Sequence, residues 1–214
     1  MRLNEWFISP QGEGPQMGVR SLFIRLSGCN LNCHMCDSKY ASLHTNVSRA
    51  ELLKTIKQAY GKGVRNVVWT GGEPSLQIAD IKDTIASCPF DMTHSIETNG
   101  EVVFGTTVFN LVVVSPKDRE HNNDEEFCDL LNRWVLVEPQ VVFKPVVDIH
   151  NINWWMKWVK DHPGIRVYFM PMTPQDEDMI PEHNRMVKMI IRKMDEYGIN
   201  GAVSPRLHVI YKVR

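Results

Sequence analysis

The sequence has 214 residues, of which 43% are hydrophobic and 23% are charged, which is ordinary for a globular domain and excludes a disordered or fibrous protein. A chain of this length can bury a sizeable core as one domain over residues 1–214, without disulfides or structural metal. The formal net charge is −1 and the sequence contains no stripe of Lys and Arg, so we expect no nucleic acid partner. No apolar run approaches the roughly 20 residues that span a bilayer, and the first residues lack the apolar core of a signal peptide. We therefore expect no membrane partner and a cytoplasmic location.

Strand-like and helix-like segments alternate along the chain. The predicted strands are rich in β-branched and aromatic residues and lie at 21–26, 66–69, a run ending at 96–97, 112–114, 141–143 and 167–169. One helix is expected to begin after Ser48, because Ser48 and Glu51 have capping-box spacing, and to run to Gly61 and Gly63. Further helices are predicted at 78–87, 124–134, 153–160 and 182–197.

About six βα units of this kind predict an α/β fold with a parallel sheet, in the form of a partial or complete TIM-type barrel, a modified (β/α)6 barrel. Polar motifs follow four of the predicted strands: a cysteine-rich loop after the first, 70–74 after the second, 97–100 after the third and 115–117 after the fourth. Because the carboxyl ends of parallel strands meet at one edge, we expect these motifs to form one shared site.

The cysteine-rich loop has the spacing C-x3-C-x2-C, at Cys29, Cys33 and Cys36. The chain has five cysteines, an odd number, and this clustering indicates a metal centre rather than a disulfide framework. A four-iron cluster needs four ligands, usually thiolates, so three cysteines leave one iron open. Zinc is the alternative, with His34 or a distant residue as fourth ligand, but structural zinc usually takes paired knuckles, and the sequence has no second knuckle.

The cysteine triad and the motif Gly71-Gly72-Glu73-Pro74 together resemble the signature of the radical S-adenosylmethionine (radical SAM) superfamily. The resemblance implies a [4Fe-4S] cluster that binds S-adenosylmethionine and cleaves it to a 5′-deoxyadenosyl radical, chemistry carried by the cofactor pair. Further residues narrow the resemblance to the 7-carboxy-7-deazaguanine synthase family: Gln11-Gly12-Glu13-Gly14, Gly18, Arg25, Asp37-Ser38, Ser115-Pro116-Lys117 and Leu207-His208. That family contracts 6-carboxytetrahydropterin to a deazapurine, with loss of ammonia, and uses Mg²⁺.

The superfamily resemblance implies roles at two sets of positions. The cluster ligands would be Cys29, Cys33 and Cys36. S-adenosylmethionine would be bound by Met35, Cys36, Asp37, Gly72, Glu73, Glu97, Asn99, Ser115, Pro116, Lys117, Met170, Pro171, Met172 and Thr173. Within this set, Glu73 would hold the methionyl ammonium, and Glu97 and Asn99 would meet the ribose hydroxyls.

The family resemblance implies the substrate residues, which are Gln11, Gly12, Glu13, Arg25, Thr70, His208 and the C-terminal Arg214. Gln11, Gly12 and Glu13 would read the pterin ring, and Arg25 would pair with the substrate carboxylate, since its planar fork bonds both oxygens. Glu13, Arg25 and His208 are the expected catalytic residues. Ser38 would bind Mg²⁺, which prefers oxygen ligands.

Three positions depart from these patterns. Met35 stands where the superfamily often has an aromatic residue that packs on adenine. Ser38 replaces a threonine but keeps the hydroxyl. The run 170–173 matches the family segment Q-P-M-D only at its centre, which leaves backbone contacts as the expectation there.

An apolar stripe at helical spacing is formed by Trp154, Trp155 and Trp158 with Met156 and Val159. Such a stripe is either a packed helix face or a dimer face, and we predict a homodimer from it. An electron donor such as flavodoxin is expected to reduce the cluster.

Two other hypotheses remain open beside the synthase. The first is a radical SAM activase of a glycyl radical enzyme, which has the same cysteine triad on a short chain. The polar run 11–14 argues against it, because a protein substrate would not require a polar pocket before the first strand. A zinc-binding module without catalysis is the second, and a brown protein with thiolate-ligated iron would exclude it.

Overall fold

Ten strands and six helices are present in the computed structural model, which describes residues 1–33, 36, 43–117, 125–137, 140–172 and 179–211. The strands are β1 Arg2–Pro10, β2 Arg20–Leu26, β3 Thr45–Asn46, β4 Asn66–Gly71, β5 Thr93–Thr98, β6 Leu111–Val114, β7 Val141–Phe143, β8 Val146–Val147, β9 Tyr168–Pro171 and β10 Ala202–Val203. The helices are α1 Arg49–Gly61, α2 Ile78–Ala86, α3 Glu125–Val135, α4 Ile152–Asp161, α5 Met179–Tyr197 and α6 Leu207–Ile210.

The sheet follows the order β3-β1-β2-β4-β5-β6-β7. Every pair from β2 to β7 is parallel, and a parallel bridge between Phe143 and Val167 leads on to β9. A smaller parallel sheet has the order β10-β9-β8. The six predicted strands are therefore all present as neighbours in chain order, and the prediction of a partial TIM-type barrel is confirmed.

Strand β1 was not predicted. It pairs antiparallel with β2 and carries β3 on its other edge. The pairing with β2 is irregular between Leu3 and Glu5, so the alternation of side chains that marks a strand in a sequence is interrupted near its start.

The two faces of the sheet have different cores. Leu22 and Ile24 of β2 and Trp69 of β4 are fully buried on the face covered by the helices. On the opposite face, Leu111, Val113 and Val142 form a separate small cluster. The polar motifs that follow β4, β5 and β6 lie at the carboxyl ends of these parallel strands.

The start of α1 is built as predicted. Ser48 Oγ accepts a hydrogen bond from Glu51 N, and the Glu51 carboxylate accepts one from Ser48 N at 2.7 Å. This capping box satisfies backbone N–H groups that have no partner inside the helix.

The tryptophan stripe on α4 lies inside the chain's own core. Trp155, Met156, Trp158 and Val159 are buried, and Trp154 packs on the ring of Phe127 at a centroid distance of 5.6 Å. The stripe is thus a packed helix face, and it gives no support to the predicted homodimer. Among the helices that the structure describes, none combines the length and the apolar character needed to cross a membrane.

His94 on β5 makes the stability of the fold depend on pH. The ring is buried and its Nδ1 accepts a hydrogen bond from Trp69 Nε1 at 3.2 Å. Burial lowers the pKa of His94 from its ordinary value of 6.5 to about 4, so the folded protein holds a neutral ring at a pH where the unfolded chain takes up a proton. Stability is complete above pH 6.5 and is lost as the pH falls towards 4.

We expect wild-type protein to lose about 2 kcal/mol of unfolding free energy from this residue between pH 6.5 and pH 5. His94→Gln keeps an acceptor for Trp69 but does not titrate, so its stability should fall less over the same interval. Urea unfolding at both pH values measures the difference, with His150→Gln on the exposed surface as control. An equal loss in wild type and His94→Gln would contradict a neutral buried His94.

Candidate functional site

The loop after β2 carries three free thiols, Cys29, Cys33 and Cys36, of which Cys29 is exposed and the other two are half-buried. The backbone N–H of Leu31 donates to Cys29 Sγ at 3.4 Å, and Asn99 Nδ2 lies 4.0 Å from the same sulfur. N–H groups directed at sulfur orient thiolate ligands and tune the metal centre that they hold. The donor set therefore fits a thiolate-bound cluster.

The three thiols lie close enough to influence one another's ionisation. In the parts of the chain that the structure describes, no three His, Cys, Asp or Glu side chains are grouped closely enough to hold one metal ion. Burial raises the pKa of Cys33, and Cys36 and Cys29 add to the rise while Lys117 opposes it. The three sulfurs and Lys117 thus share one electrostatic environment.

The turn after β4 lies against the base of the cysteine loop. Gly72 N–H donates to Leu26 O at 3.0 Å, and Glu73 N–H donates to Gly28 O at 2.7 Å. A Cβ on Gly72 would overlap Gly28 O, and a Cβ on Gly71 would overlap Leu26 O. Glycine is therefore required at both positions for the two loops to approach each other.

Glu73 fastens this turn to the end of β5. Its carboxylate is 1% exposed and accepts hydrogen bonds from Ser75 N at 2.9 Å, Thr98 Oγ1 at 2.8 Å and Asn99 N at 2.7 Å. A carboxylate has about four acceptor positions, and three of them are used here. The contact between Glu73 and a methionyl ammonium stays a prediction, while the observed bonds give Glu73 a positioning role.

A second polar group, which we call the acid–base cluster, lies at the ends of β5 and β7. Lys144 Nζ lies 2.5 Å from Glu13 Oε2 and 2.8 Å from Glu97 Oε2. Gln11 Nε2 donates to Glu97 Oε1 at 3.2 Å. The acid–base cluster consists of Gln11, Glu13, Glu97, Lys144, Arg206 and His208.

The charges in this cluster move the pKa values of its members apart. Burial alone would raise the pKa of Glu13, but Lys144, with Arg206 and His208, outweighs it and lowers the pKa to about 2. Burial raises the pKa of Glu97, with a further contribution from Glu13, and Lys144 offsets this only in part. Burial would lower the pKa of Lys144, but the two carboxylates outweigh burial and raise it. Glu13 is therefore firmly ionised at neutral pH, and Glu97 is the first of the two to take up a proton as the pH falls.

The C-terminal segment completes the cluster by packing on the polar run before β2. Leu207 N–H donates to Gly12 O at 3.0 Å, and Gly14 N–H donates to Ser204 Oγ at 2.7 Å. His208 lies so close to Gly12 that a Cβ there would overlap its Nδ1. Residues that are nearly two hundred positions apart in the chain are brought together as predicted, although their contacts with substrate stay a prediction.

Replacing Gly12 with alanine is expected to force α6 away from this run, because the new Cβ would also lie 3.0 Å from the backbone N of His208. Overpacking of this kind costs about 1–3 kcal/mol, and urea unfolding measures it. Gly105→Ala is the control, since the nearest atom to its Cβ is Lys82 Nζ at 3.5 Å. Wild-type stability in Gly12→Ala would contradict the close packing of His208.

Both polar groups meet at the end of β5. The carboxylate of Glu97 contacts Lys144 and Gln11, and its expected contact with a ribose stays a prediction. Asn99, two residues further, donates to Asn30 Oδ1 at 2.8 Å on the cysteine loop. The end of β5 therefore contacts both parts of the site, through Glu97 on one side and Asn99 on the other.

Arg25 lies on β2 beside Thr70 of β4, its register partner. Arg25 Nε lies 3.1 Å from Glu5 Oε1, and its guanidinium carbon lies 5.8 Å from the centre of the Phe7 ring. Glu5 was not predicted as part of the site because β1 was not predicted. It orients the guanidinium, while the contact of Arg25 with a substrate carboxylate stays a prediction.

The motif after β6 bridges the two parts of the site. Ser115 N–H donates to Thr98 O at 2.8 Å, and Ser115 Oγ donates to Lys144 O at 3.0 Å. Lys117 Nζ donates to Ser115 Oγ at 3.1 Å, and Pro116 is buried. These residues therefore connect β5, β7 and the neighbourhood of the cysteine loop.

The predicted residues of β9 lie beside β8. Met170 N–H donates to Pro145 O at 2.9 Å, and Met172 N–H donates to Val147 O at 2.8 Å. Pro171 is register partner of Val147. Five other predicted site residues lie outside the described part of the chain: Met35, Asp37, Ser38, Thr173 and Arg214.

Lys144 and Arg206 were missed from the sequence. Lys144 follows β7 directly, at the same place where the other polar motifs follow their strands, so the rule that identified those motifs would have found it. Arg206 directly precedes the predicted motif Leu207-His208, so its position beside that motif is the signal that could have identified it.

The comparisons with known proteins agree with this geometry. Residues 23–109 match the model of the Radical SAM superfamily. The chain is 30% identical over 236 residues to 7-carboxy-7-deazaguanine synthase from Hyperthermus butylicus, with 100% of this chain and 93% of that protein covered. It is 40% identical over 124 residues to 7-carboxy-7-deazaguanine synthase from Rhodopirellula baltica and 43% identical over 104 residues to that from Clostridium acetobutylicum. These two matches cover 57% and 46% of this chain, but less than half of each relative, 47% and 45%.

Solved structures show the same fold. QueE from Escherichia coli has a TM-score of 0.69 at 24% identity, with 97% of this chain and 94% of that chain covered. Streptococcus suis SuiB bound to S-adenosylmethionine has a TM-score of 0.60 at 15% identity, with 83% and 44% covered.

Proposed function

Because this chain belongs to the 7-carboxy-7-deazaguanine synthase family of the radical SAM superfamily, we propose that it contracts 6-carboxytetrahydropterin to 7-carboxy-7-deazaguanine with loss of ammonia. The observation that carries the proposal is the two-part site: a cysteine loop and an acid–base cluster joined by Glu97 and Asn99 on one strand end. The cysteine loop suits a redox cofactor, and the acid–base cluster suits a small polar ring. Both parts contact residues at the end of the same strand, and a reaction between them requires this kind of proximity.

The family implies three cofactors, which are a [4Fe-4S] cluster, S-adenosylmethionine and Mg²⁺. Cys29, Cys33 and Cys36 would hold the cluster, and the N–H groups of Leu31 and Asn99 would stabilise its thiolate at Cys29. When bound, the cluster and S-adenosylmethionine supply the one-electron chemistry that opens the reaction. Ser38 is the predicted ligand of Mg²⁺.

The protein's own groups would bind and orient the pterin. The ionised carboxylate of Glu13 accepts hydrogen bonds from ring N–H groups, with Gln11 beside it. Arg25, held by Glu5, pairs with the carboxylate of the substrate through its planar fork. His208, which packs on Gly12, would cover the bound pterin on the side of the C-terminal segment.

Several statements about the whole protein belong to this proposal. A single domain would carry the reaction, in the cytoplasm and without nucleic acid or membrane. An electron donor such as flavodoxin would supply the electron, and a homodimer stays a prediction that now lacks the support of the tryptophan stripe. A glycyl radical activase is less favoured, because the buried acid–base cluster suits a small polar ligand rather than a protein backbone. A zinc module is less favoured because the chain belongs to an enzyme family.

Genetic complementation tests the proposal. We expect the chain, expressed in a bacterial strain that lacks its own 7-carboxy-7-deazaguanine synthase, to restore 7-deazaguanine nucleosides in transfer RNA. The variant Cys29→Ala should not restore them, and Cys88→Ala, outside the triad, should. Folded wild-type protein that leaves the transfer RNA unmodified would overturn the proposed function.

A further inference from the structure

Lys144 is the most deeply buried charge of the acid–base cluster. Its side chain is 4% exposed, whereas the side chains of Glu13 and Glu97 are each 16% exposed. The two carboxylates are therefore more open to a ligand than the ammonium group is, and both contact that ammonium group directly.

The bonds of Lys144 occupy one oxygen of each carboxylate. Nζ lies 2.5 Å from Glu13 Oε2 and 2.8 Å from Glu97 Oε2. Around the other oxygen of Glu13, Arg206 Nε at 3.4 Å and His208 Nε2 at 3.9 Å are beyond the usual range of an N–H···O hydrogen bond. Oε1 of Glu13 is thus an acceptor held in a positive environment with capacity for further donors.

Stability alone does not account for a lysine at this place. Burying an ion pair costs desolvation, and a well-packed apolar residue of similar volume is often equally or more stabilising. What the lysine provides, and an apolar residue cannot, is a fixed positive charge that favours the ionised form of both neighbouring carboxylates and opposes the rise in the pKa of Glu97 that burial causes.

We propose that Lys144 is a positioning residue for substrate choice: it fixes Glu13 and Glu97 as paired acceptors, so that the site takes a 2-amino-4-oxopyrimidine ring and rejects its 2,4-dioxo counterpart. This inference rests on the proposed function. A 2-amino-4-oxopyrimidine presents two adjacent N–H donors, on the amino group and on N3, to an ionised carboxylate. The 2,4-dioxo ring keeps the N3–H donor but replaces the amino group with a carbonyl oxygen, which repels the carboxylate oxygen that faces it and leaves that oxygen without a donor.

Two oxidised ligands allow the two rings to be compared: 6-carboxypterin carries the amino group, and 6-carboxylumazine carries the second carbonyl group in its place. Anaerobic calorimetry with reconstituted protein gives the dissociation constant of each without turnover. We expect wild type to prefer 6-carboxypterin by about 100-fold, as sites with buried polar groups reject ligands that leave those groups unpaired. Lys144→Met should reduce the preference to about 10-fold or less, mainly through weaker binding of 6-carboxypterin.

Glu97→Gln provides a second test that keeps the shape of the side chain. This variant leaves Lys144 paired with Glu13 alone, and the preference for 6-carboxypterin should again fall about tenfold. If Lys144→Met does not fold, Glu97→Gln is the variant that tests the proposal. Lys157→Met, on the exposed face of α4, should behave as wild type.

The outcomes separate this inference from the proposed function. Wild-type preference in a folded Lys144→Met, or in Glu97→Gln when Lys144→Met does not fold, would overturn the role of Lys144 and leave the proposed function intact. Failure of wild type to bind either ligand would overturn both.

Discussion

Replacing Gly72 with alanine is expected to prevent the protein from retaining its iron–sulfur cluster. The new Cβ would overlap Gly28 O at the base of the cysteine loop, and neither backbone can yield without breaking the bond from Gly72 N to Leu26 O. Such a displacement costs about 1–3 kcal/mol, so cluster retention should fall about tenfold or more. Iron and sulfide per chain, together with the broad absorption at about 400 nm of thiolate-bound iron, measure the loss.

Gly61→Ala is the matched control for this experiment. Gly61 ends α1, and an added Cβ there meets nothing within 4 Å. The variant should keep its cluster and be unchanged or slightly more stable, because alanine is the better helix former. A full cluster in Gly72→Ala would show that the two loops do not need their close contact.

Replacing Arg25 with lysine is expected to raise KM for 6-carboxytetrahydropterin about 10- to 100-fold, with a smaller change in kcat. Lysine keeps the charge but loses the planar fork that bonds both carboxylate oxygens, and a hydrogen bond to a charged group contributes about 1.5–3 kcal/mol. It also loses the geometry of the bond from Nε to Glu5. Steady-state kinetics with saturating S-adenosylmethionine measures the two constants separately.

The surface residue Arg49 provides the control, since its guanidinium pairs with Asp83 at 2.7 Å in an exposed position. Exposed pairs contribute little, so Arg49→Lys should have wild-type kinetics. An unchanged KM in Arg25→Lys would mean that another group holds the substrate carboxylate.

The parallel strands and the edge at which their polar motifs gather could be predicted from the sequence. Each strand is a short run rich in apolar, mostly β-branched or aromatic residues, and four of the strands are followed directly by a polar motif, so local pattern and chain order are sufficient. The start of α1 is equally local, because Ser48 and Glu51 are three residues apart and form their bonds without help from the rest of the chain.

The pairing of side chains across the site could not be predicted in the same way. Lys144 and Glu13 are 131 positions apart, and their contact depends on how the run before β2 and the end of β7 approach each other in three dimensions. For the same reason the pairing of Glu97 with Lys144, 47 positions away, could not be predicted from the sequence.

The tryptophan stripe shows a related limit. The spacing of apolar residues predicts that one face of α4 is buried, but it does not show whether the same chain or a second subunit buries it. The structure covers that face with the chain's own core, including Phe127, so an amphipathic pattern alone does not distinguish a folded core from a subunit interface.

The reaction of the purified protein tests the central claim most directly. Protein with a reconstituted cluster, incubated without oxygen with 6-carboxytetrahydropterin, S-adenosylmethionine, Mg²⁺ and a reductant, is expected to form 7-carboxy-7-deazaguanine and ammonia in equal amounts, as measured by mass spectrometry and an ammonia assay. Protein that holds an intact cluster and cleaves S-adenosylmethionine, but leaves the pterin unchanged, would contradict it.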